Sequence, residues 1–151
     1  MAFAFREPGV LQGDDFYLVL AGTTPAAPER GIVPAYAFHV KVTGSDEPVG
    51  RINLRIGTNE HIQRYAGNLG YQIEATHRGR RLAERAIRLV LPIARSHGMT
   101  EIWVGCNPDN RASRRTCERL GAELVEIIDV PPGNDLYEKG DRQTCRYLLR
   151  L

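Results

Sequence analysis

The sequence predicts an α/β fold in which a mixed sheet is flanked by helices. Segments in the first half alternate apolar and polar residues with the period of two that is typical of strands. Residues 68–106 instead follow the order strand, helix, strand, which indicates a parallel pair with a crossover connection. The 151 residues are 42% hydrophobic, so we expect a single domain, 1–151, with its own core.

The first half has the elements of an antiparallel sheet. Apolar positions alternate in residues 36–42, and Ile52, Leu54 and Ile56 share one face of residues 49–57, so the two segments form a hairpin. In chain order, the elements are an irregular lead-in (1–15), a strand (16–22), a proline-containing loop (23–34), the two hairpin strands and a polar connection (58–67).

The second half predicts two helices between strands. Apolar residues recur at helical spacing from Leu82, and Gly98 stands where a C-terminal cap belongs. Pro92 cannot donate the helical hydrogen bond to residue 88, so we expect a kink there or an early end. The other elements are strands at 68–75, 100–106, 122–130 and 142–151, an N-cap turn at 107–110, a helix at 111–120 stopped by Gly121, and a loop at 131–140.

Composition excludes several classes of protein. The three cysteines are widely spaced and the four histidines are scattered, which argues against a metal site or a disulfide framework. The N-terminus lacks the basic start and apolar run of a signal peptide, and no stretch approaches the roughly 18 apolar residues of a membrane span. We therefore expect a cytoplasmic protein.

The first predicted helix carries cations at the wrong end. Arg78, Arg80 and Arg81 precede it, and Arg85 lies in its first turn. A helix N-terminus carries partial positive charge and unpaired N–H groups, so a cation there costs about 0.3–1 kcal/mol. A bound phosphate or pyrophosphate would satisfy those N–H groups and offset that cost, and Gly79 would let it approach the backbone. A solvated basic helix face is the alternative interpretation.

A second polar cluster surrounds the start of the next helix. Asn110 occupies the N-cap position, and Ser113 and Cys117 are four residues apart, so they are neighbours on the helix surface. Taken alone, Asn110 is explained by capping, and the other two residues are explained by packing.

Together the two clusters resemble the GNAT superfamily of acetyl-CoA-dependent N-acetyltransferases. The family's phosphate motif, Q/R-x-x-G-x-G/A, is matched by Arg78–Ala83, with Arg81 in place of the usual glycine. Residues 110–121 match the family's second block, N-x-x-S followed by LG, and residues 54–73 are similar to a little-characterised branch of predicted acetyltransferases. The resemblance covers residues 49–130, whereas residues 1–35 form a divergent N-terminal segment that lacks the family's usual helical pair.

The resemblance implies the GNAT acyl-CoA N-acyltransferase fold, with acetyl-CoA bound where two parallel strands splay apart. Backbone groups of the first strand are expected to bind the pantetheine arm, and N–H groups at the helix start are expected to bind the pyrophosphate. Asn110 and Ser113 are expected beside the pantetheine. The implied backbone sites are Tyr71, Gln72 and Ile73 for the arm, and Arg78, Gly79, Arg80, Arg81, Leu82 and Ala83 for the pyrophosphate.

The resemblance also implies direct acetyl transfer to a small-molecule or protein amine. The family's general acid is often a tyrosine four residues after the serine, and here Cys117 stands at that position. A thiol can donate a proton, although the residue is also explained as core packing or, in a further alternative, as a nucleophile. Tyr71, Tyr137 and Tyr147 remain alternative proton donors.

The sequence offers several candidates for the general base. Glu74 lies on the first splayed strand and has the best position, while Glu60 and His61 lie in the preceding connection. A solvated carboxylate at a strand end is the alternative explanation of Glu74.

Two other functions remain open at this point. Cys117 in place of the tyrosine is compatible with a CoA-binding sensor that has lost catalysis. The arginine-rich helices, including Arg111, Arg114, Arg115 and Arg119, suggest nucleic-acid binding. The net charge of only +2 and the lack of aromatic residues among the arginines argue against nucleic acid. A homodimer would be in keeping with the commonest oligomeric state of soluble proteins.

Overall fold

A computed structural model describes residues 3–151 and confirms the α/β fold with a mixed sheet. The sheet has eight strands in the order β1-β2-β3-β4-β5-β6-β8-β7. The strands are β1 (Leu11–Gln12), β2 (Phe16–Thr24), β3 (Ala35–Val42), β4 (Pro48–Arg55), β5 (Leu69–Ile73), β6 (Glu101–Cys106), β7 (Glu123–Asp129) and β8 (Gln143–Arg150). The helices are α1 (Leu82–Ser96), α2 (Arg111–Leu120) and the single turn α3 (Asp135–Glu138).

One face of the sheet forms the core with α1. Strands β1 to β5 are antiparallel neighbours, so alternate residues point to the same side. Phe38, Ile52 and Leu54 are fully buried on that side and belong to the same apolar cluster as Ile87 and Val90 of α1. The opposite face carries polar side chains, including Arg51. The hairpin predicted from the alternating pattern is therefore confirmed, with the buried face as expected.

The N-terminal segment is held by aromatic packing instead of by regular structure. The ring of Phe5 meets that of Tyr36 edge-on at 5.2 Å, and the hydroxyl of Tyr36 lies 2.7 Å from His97 Nε2. Only the short strand β1 interrupts the predicted irregular lead-in, whose first two residues lie outside the described part of the chain. Between residue 3 and the start of α1, the helical elements are single turns at 28–30, 62–66 and 75–77.

Strands β5 and β6 diverge after one point of contact. They are parallel, as predicted, and pair only at Leu69 and Val104. Just before this point the buried side chain of Asn68 donates to the carbonyls of Arg55 (3.0 Å) and Gly57 (2.8 Å). Its Oδ1 accepts the Trp103 N–H at 2.9 Å. Asn68 thus ties β4 to β6 at the closed end of a V-shaped gap that opens towards Ile73.

Helix α1 contains Pro92 and continues beyond it. Of the two outcomes expected at Pro92, a kink or an early end, the early end is wrong, because the helix continues to Ser96. Pro92 lies on the exposed side of the helix, where the Arg88 carbonyl that loses its partner stays near solvent. Gly98, with φ +84°, and Gly121, with φ +88°, follow the ends of the two main helices as predicted. Within residues 3–151, no helix is long and apolar enough to cross a membrane.

Candidate active site

A cleft of about 730 Å³ lies between the open end of β5, the start of α1 and the start of α2. All the predicted cofactor-binding residues line it except Arg80, whose side chain turns away. The first strand of the V, the glycine-containing turn and the second helix therefore meet around one volume, although they are separated by up to about 40 residues of sequence. That volume falls in the range of about 300–1,000 Å³ that is usual for small-molecule sites.

The backbone of β5 presents hydrogen-bonding groups to this cleft. Arg55 N–H donates to the Asn68 carbonyl and Glu74 N–H donates to that of Val49, both at 2.8 Å. In an antiparallel ladder alternate residues face the partner strand, so Gln72 also faces β4. Tyr71 and Ile73 then face the β6 side, where the strands have already separated. Tyr71 and Ile73, and not Gln72, thus offer backbone groups to the cleft.

The turn before α1 adopts the conformation that glycine favours. Gly79 has φ +84°, and an added Cβ there would meet no atom within 4 Å. Arg81, the N-cap of α1, has φ 55° and ψ 29° and is the only non-glycine residue with positive φ among residues 3–151. The left-handed conformation costs an L-residue roughly 1–2 kcal/mol. Arg81, at the position where the motif usually has glycine, therefore holds a backbone conformation that glycine adopts without that cost.

That turn leaves a run of backbone donors without protein partners. The first main-chain bond of α1 joins Arg85 N–H to Arg81 C=O at 3.0 Å, and the cap side chain accepts no hydrogen bond. Across the described chain, none of the N–H groups of residues 79–84 donates to another protein group. Consecutive free N–H groups at a helix start form a binding site for an anion.

The arginines divide between the cleft and the protein itself. Arg80 pairs with Asp15 at 3.3 Å, and Arg85 also pairs with Asp15, whose carboxyl pKa is lowered mainly by the hydrogen bond from Arg85. Arg88 pairs with Glu84 at 3.3 Å. These ion pairs explain part of the unusual charge at the helix start, because Asp15 pairs with two of the four cations there, Arg80 and Arg85. The arginines that line the cleft are Arg78, Arg81, Arg115 and Arg119.

Arg115 and Arg119, which the sequence predicts only as contacts to nucleic acid, line the cleft. Their spacing of four residues, which places them on one face of α2, was the signal available. Arg114, on the same helix, donates instead to the hydroxyl of Tyr147 at 3.0 Å. The charge of α2 is thus partly directed into the cleft and partly used inside the protein.

A phenol and three thiols form a cluster beside the cleft, and of the four only Tyr71 lines it. The Tyr71 hydroxyl lies 2.5 Å from Ser113 Oγ, and burial, followed by Cys117, raises its pKa well above the usual value. The neighbouring Cys117 thiol, together with burial, raises the pKa of the Cys106 thiol. Burial raises the pKa of Cys145 to about 11. Tyr71, Cys106 and Cys145 therefore hold their protons at neutral pH, whereas the neighbouring Cys106 lowers the pKa of Cys117.

The two predicted catalytic residues, Cys117 and Glu74, differ in burial, and neither lines the cleft. Cys117 has no exposed surface, and its thiol contacts Tyr71 and Cys106. Glu74 is exposed and lines a second cavity of about 430 Å³, which shares Gln72, Ile73 and Arg78 with the cleft. Asn110 accepts the Ser113 N–H at 3.1 Å, which confirms that it caps α2.

The comparison with protein families identifies the chain's relatives. The family described as "Acetyltransferase (GNAT) domain" matches residues 13–123. No curated protein sequence matches the chain significantly.

Solved structures share the fold at low sequence identity. Ribosomal-protein-S5-alanine acetyltransferase from Vibrio fischeri is 13% identical, with a TM-score of 0.69 over 93% of this chain and 96% of that one. RimJ from Mycobacterium smegmatis, in complex with CoA-disulfide, is 17% identical, with a TM-score of 0.58 over 77% of this chain. The microcin C7 self-immunity acetyltransferase MccE, in complex with acetyl-CoA and AMP, is 18% identical, with a TM-score of 0.56 over 78% of this chain. The chain spans 53% of that RimJ and 61% of that MccE.

Proposed function

The chain belongs to the GNAT family of acetyltransferases, and from that premise we propose that it moves the acetyl group of acetyl-CoA directly to an amine in a ternary complex. The observation that carries this proposal is the run of unpaired N–H groups at residues 79–84, which opens into a cleft lined by arginines. The relatives RimJ and MccE, which share the fold, were solved with CoA-disulfide and with acetyl-CoA.

The turn and the neighbouring arginines fit the diphosphate of acetyl-CoA. Backbone N–H groups from Gly79 to Ala83 would hold the diphosphate oxygens, and the helix dipole adds attraction. The guanidinium groups of Arg115 and Arg119 would reach the phosphates from α2. Arg80 would contribute its backbone N–H alone, because its side chain pairs with Asp15.

The open end of β5 would hold the pantetheine arm and the acyl carbonyl. Tyr71 and Ile73 offer backbone groups on the side that β6 leaves free. Arg78 Nε now donates to the Ile73 carbonyl at 3.1 Å, so the arm would share or displace that bond. Asn110 and Ser113, both at the cleft wall, would contact the arm from the other side.

Acetyl-CoA supplies the acetyl group as a thioester, which the amine attacks; the C–N bond forms and the C–S bond breaks. Tyr71 is the proposed hydrogen-bond donor to the leaving thiolate, because its hydroxyl lies in the cleft and its raised pKa keeps it protonated. Cys117 acts through Tyr71, since the thiol has no exposed surface and contacts the phenol.

Glu74 is the proposed acceptor of the amine's proton. Its carboxylate is exposed in the cavity next to the cleft and can pass the proton to solvent. The alternative function, a CoA-binding sensor, keeps every step of binding and none of transfer, so turnover separates the two.

The anion site is tested by a pair of matched glycine variants. Gly79 and Gly98 have the same φ of +84°, an added Cβ meets nothing within 4 Å at either, and they lie at opposite ends of α1. We expect Gly79→Asp to abolish the thermal shift produced by acetyl-CoA, because a carboxylate would repel the diphosphate. Gly98→Asp should keep that shift. If both variants respond like the wild type, the pyrophosphate does not bind at residues 79–84.

Transfer itself is tested by following thiol release from acetyl-CoA across a panel of amines. Amine-dependent release at a rate well above hydrolysis supports the enzyme. Binding of acetyl-CoA without thiol release in the presence of any amine of the panel supports the sensor.

A further inference from the structure

The second cavity lies on the face of the sheet opposite α1 and meets the cleft at the open end of β5. It measures about 430 Å³, and Gln72, Ile73 and Arg78 line both volumes. An amine placed in this cavity would approach the acyl carbonyl from the side opposite the cofactor. The volume suits a small molecule more than a folded partner.

A row of polar side chains crosses this face. His39 on β3 is opposite Arg51 on β4, and Arg51 is opposite Gln72 on β5. Directly opposed residues project to the same side of a sheet, so the three side chains stand in line. Glu74 follows Gln72 by two residues and returns to that side, where it also lines the cavity.

The two charged groups of this row are left for a ligand. Among residues 3–151, Arg51 makes no ion pair and its side chain donates no hydrogen bond, and Glu74 makes no ion pair. Arg55, four residues further along the same strand and on the same face, instead donates to the Gly67 carbonyl at 3.0 Å. Arg51 and Glu74 are diagonal neighbours, roughly 7–8 Å apart at their backbones. The cavity therefore holds Arg51 and Glu74, both without ion-pair partners, at a separation that two long side chains can close onto a small ligand. Arg78, the other cation in the lining, donates through Nε to the Ile73 carbonyl at 3.1 Å.

We propose that this cavity is the acceptor site and that it selects an amine carrying a carboxylate, namely a free amino acid or a close analogue. The carboxylate binds the Arg51 guanidinium, with His39 beside it, and the amine faces Glu74 at the edge shared with the cleft. This inference rests on the proposed acetyl transfer and adds the class of acceptor. An N-terminal peptide presents an amide where the amino acid presents a carboxylate, so it leaves the Arg51 charge unmatched.

The test compares each amino acid with its carboxamide and with a dipeptide that begins with the same residue. Wild-type protein should acetylate the amino acid at least about tenfold more efficiently, in kcat/KM, than either analogue, which corresponds to about 1.4 kcal/mol. Arg51→Gln should remove this preference, mainly by raising KM for the amino acid. Lys41→Gln is the matched control, because Lys41 lies on the same sheet face but outside the cavity.

Acetyl-CoA thermal shifts on the same variants separate the two proposals. If the shift persists but the amides or dipeptides react as well as the amino acids, or Arg51→Gln changes nothing, the carboxylate-binding role is overturned while acetyl transfer stands. Failure of every carboxylated amine to react, with another amine accepted, also overturns it. If the wild-type protein shows neither a thermal shift with acetyl-CoA nor turnover of any amine, acetyl transfer itself is contradicted.

Discussion

The two ends of strand β5 differ in how completely their polar groups are satisfied. At the closed end, Asn68 is 1% exposed, and its amide makes three hydrogen bonds to β6 and to the β4 side. At the open end, Tyr71 and Ile73 turn towards a strand that has moved away, and the N–H groups of residues 79–84 lack protein partners. The polar groups at the closed end bond to other parts of the protein and stabilise the fold, whereas those at the open end are available to a ligand.

This difference follows from the cost of unpaired groups. A buried polar group without a partner costs about 1–3 kcal/mol, so the closed end must be complete. The open end borders a solvent-filled cleft, where water can satisfy the same groups until a ligand replaces it. The complete hydrogen bonding at the closed end therefore keeps β5 and β6 separated at the open end.

The largest expected effect is at the closed end. Asn68→Leu should lower the free energy of unfolding by roughly 3 kcal/mol, because it leaves the Trp103 N–H and two part-buried carbonyls without partners. Urea denaturation measures this change. Gln72→Leu, an exposed polar-to-apolar exchange on the same strand, should change it by less than about 0.5 kcal/mol. Equal losses in the two variants would remove the distinction between the ends.

The second prediction concerns the open end. Tyr71→Phe should lower kcat about tenfold, or about 1.4 kcal/mol in the barrier, because the leaving thiolate loses its donor. Tyr147→Phe is the control, since its hydroxyl bonds Arg114 and not a group of the cleft. Steady-state thiol release measures both variants. A larger loss in kcat for Tyr147→Phe than for Tyr71→Phe would contradict the assignment of Tyr71 as the donor to the leaving thiolate.

The third prediction concerns the packing beneath the phenol. Cys117→Ala should cost about 1 kcal/mol of stability through lost buried volume, while activity falls by less than tenfold. Thermal unfolding and the same thiol-release assay test it. A fall in kcat far beyond tenfold, with the Tyr71 variant unaffected, would give Cys117 the direct role instead.

The smallest expected effect is at the turn itself. Arg81→Gly should raise the free energy of unfolding by about 0.5 kcal/mol, because relief of the left-handed backbone outweighs the added flexibility of the unfolded chain. Arg80→Gly should instead lower it, since Arg80 does not have positive φ and pairs with Asp15. Urea unfolding measures both variants. A stabilising Arg80→Gly would show that strain at Arg81 is not the cause.

The local signals that were predictable are those set by neighbours in sequence. The period of two in β3 and β4, the helical spacing after Leu82 and the cap at Asn110 depend on a few adjacent residues, and the structure confirms each. The length of α1 past Pro92 was not predictable in this way, because it depends on which side of the helix meets solvent. The family and the acyltransferase class, predicted from the segments around 78–83 and 110–121, are confirmed by the family match.

Contacts between residues far apart in the chain were not predictable from the sequence. Nothing near Asp15 indicates that it neutralises Arg80 and Arg85, which lie 65 and 70 residues away. Asn68 likewise gives no local sign that it joins β4 to β6. Two residues predicted for related roles, Tyr71 and Cys117, proved to be in contact only when β5 and α2 were placed side by side.

The sequence by itself determined the order of strands and helices, the glycine-shaped turn before α1 and the family, because each rests on short-range spacing and backbone preference. Only the tertiary structure decided which arginines face the cleft, which backbone groups of β5 remain unpaired, and that Arg51 and Glu74 share a cavity. Those outcomes depend on where β5 and β6 separate, and the separation is fixed by hydrogen bonds between residues far apart in the chain.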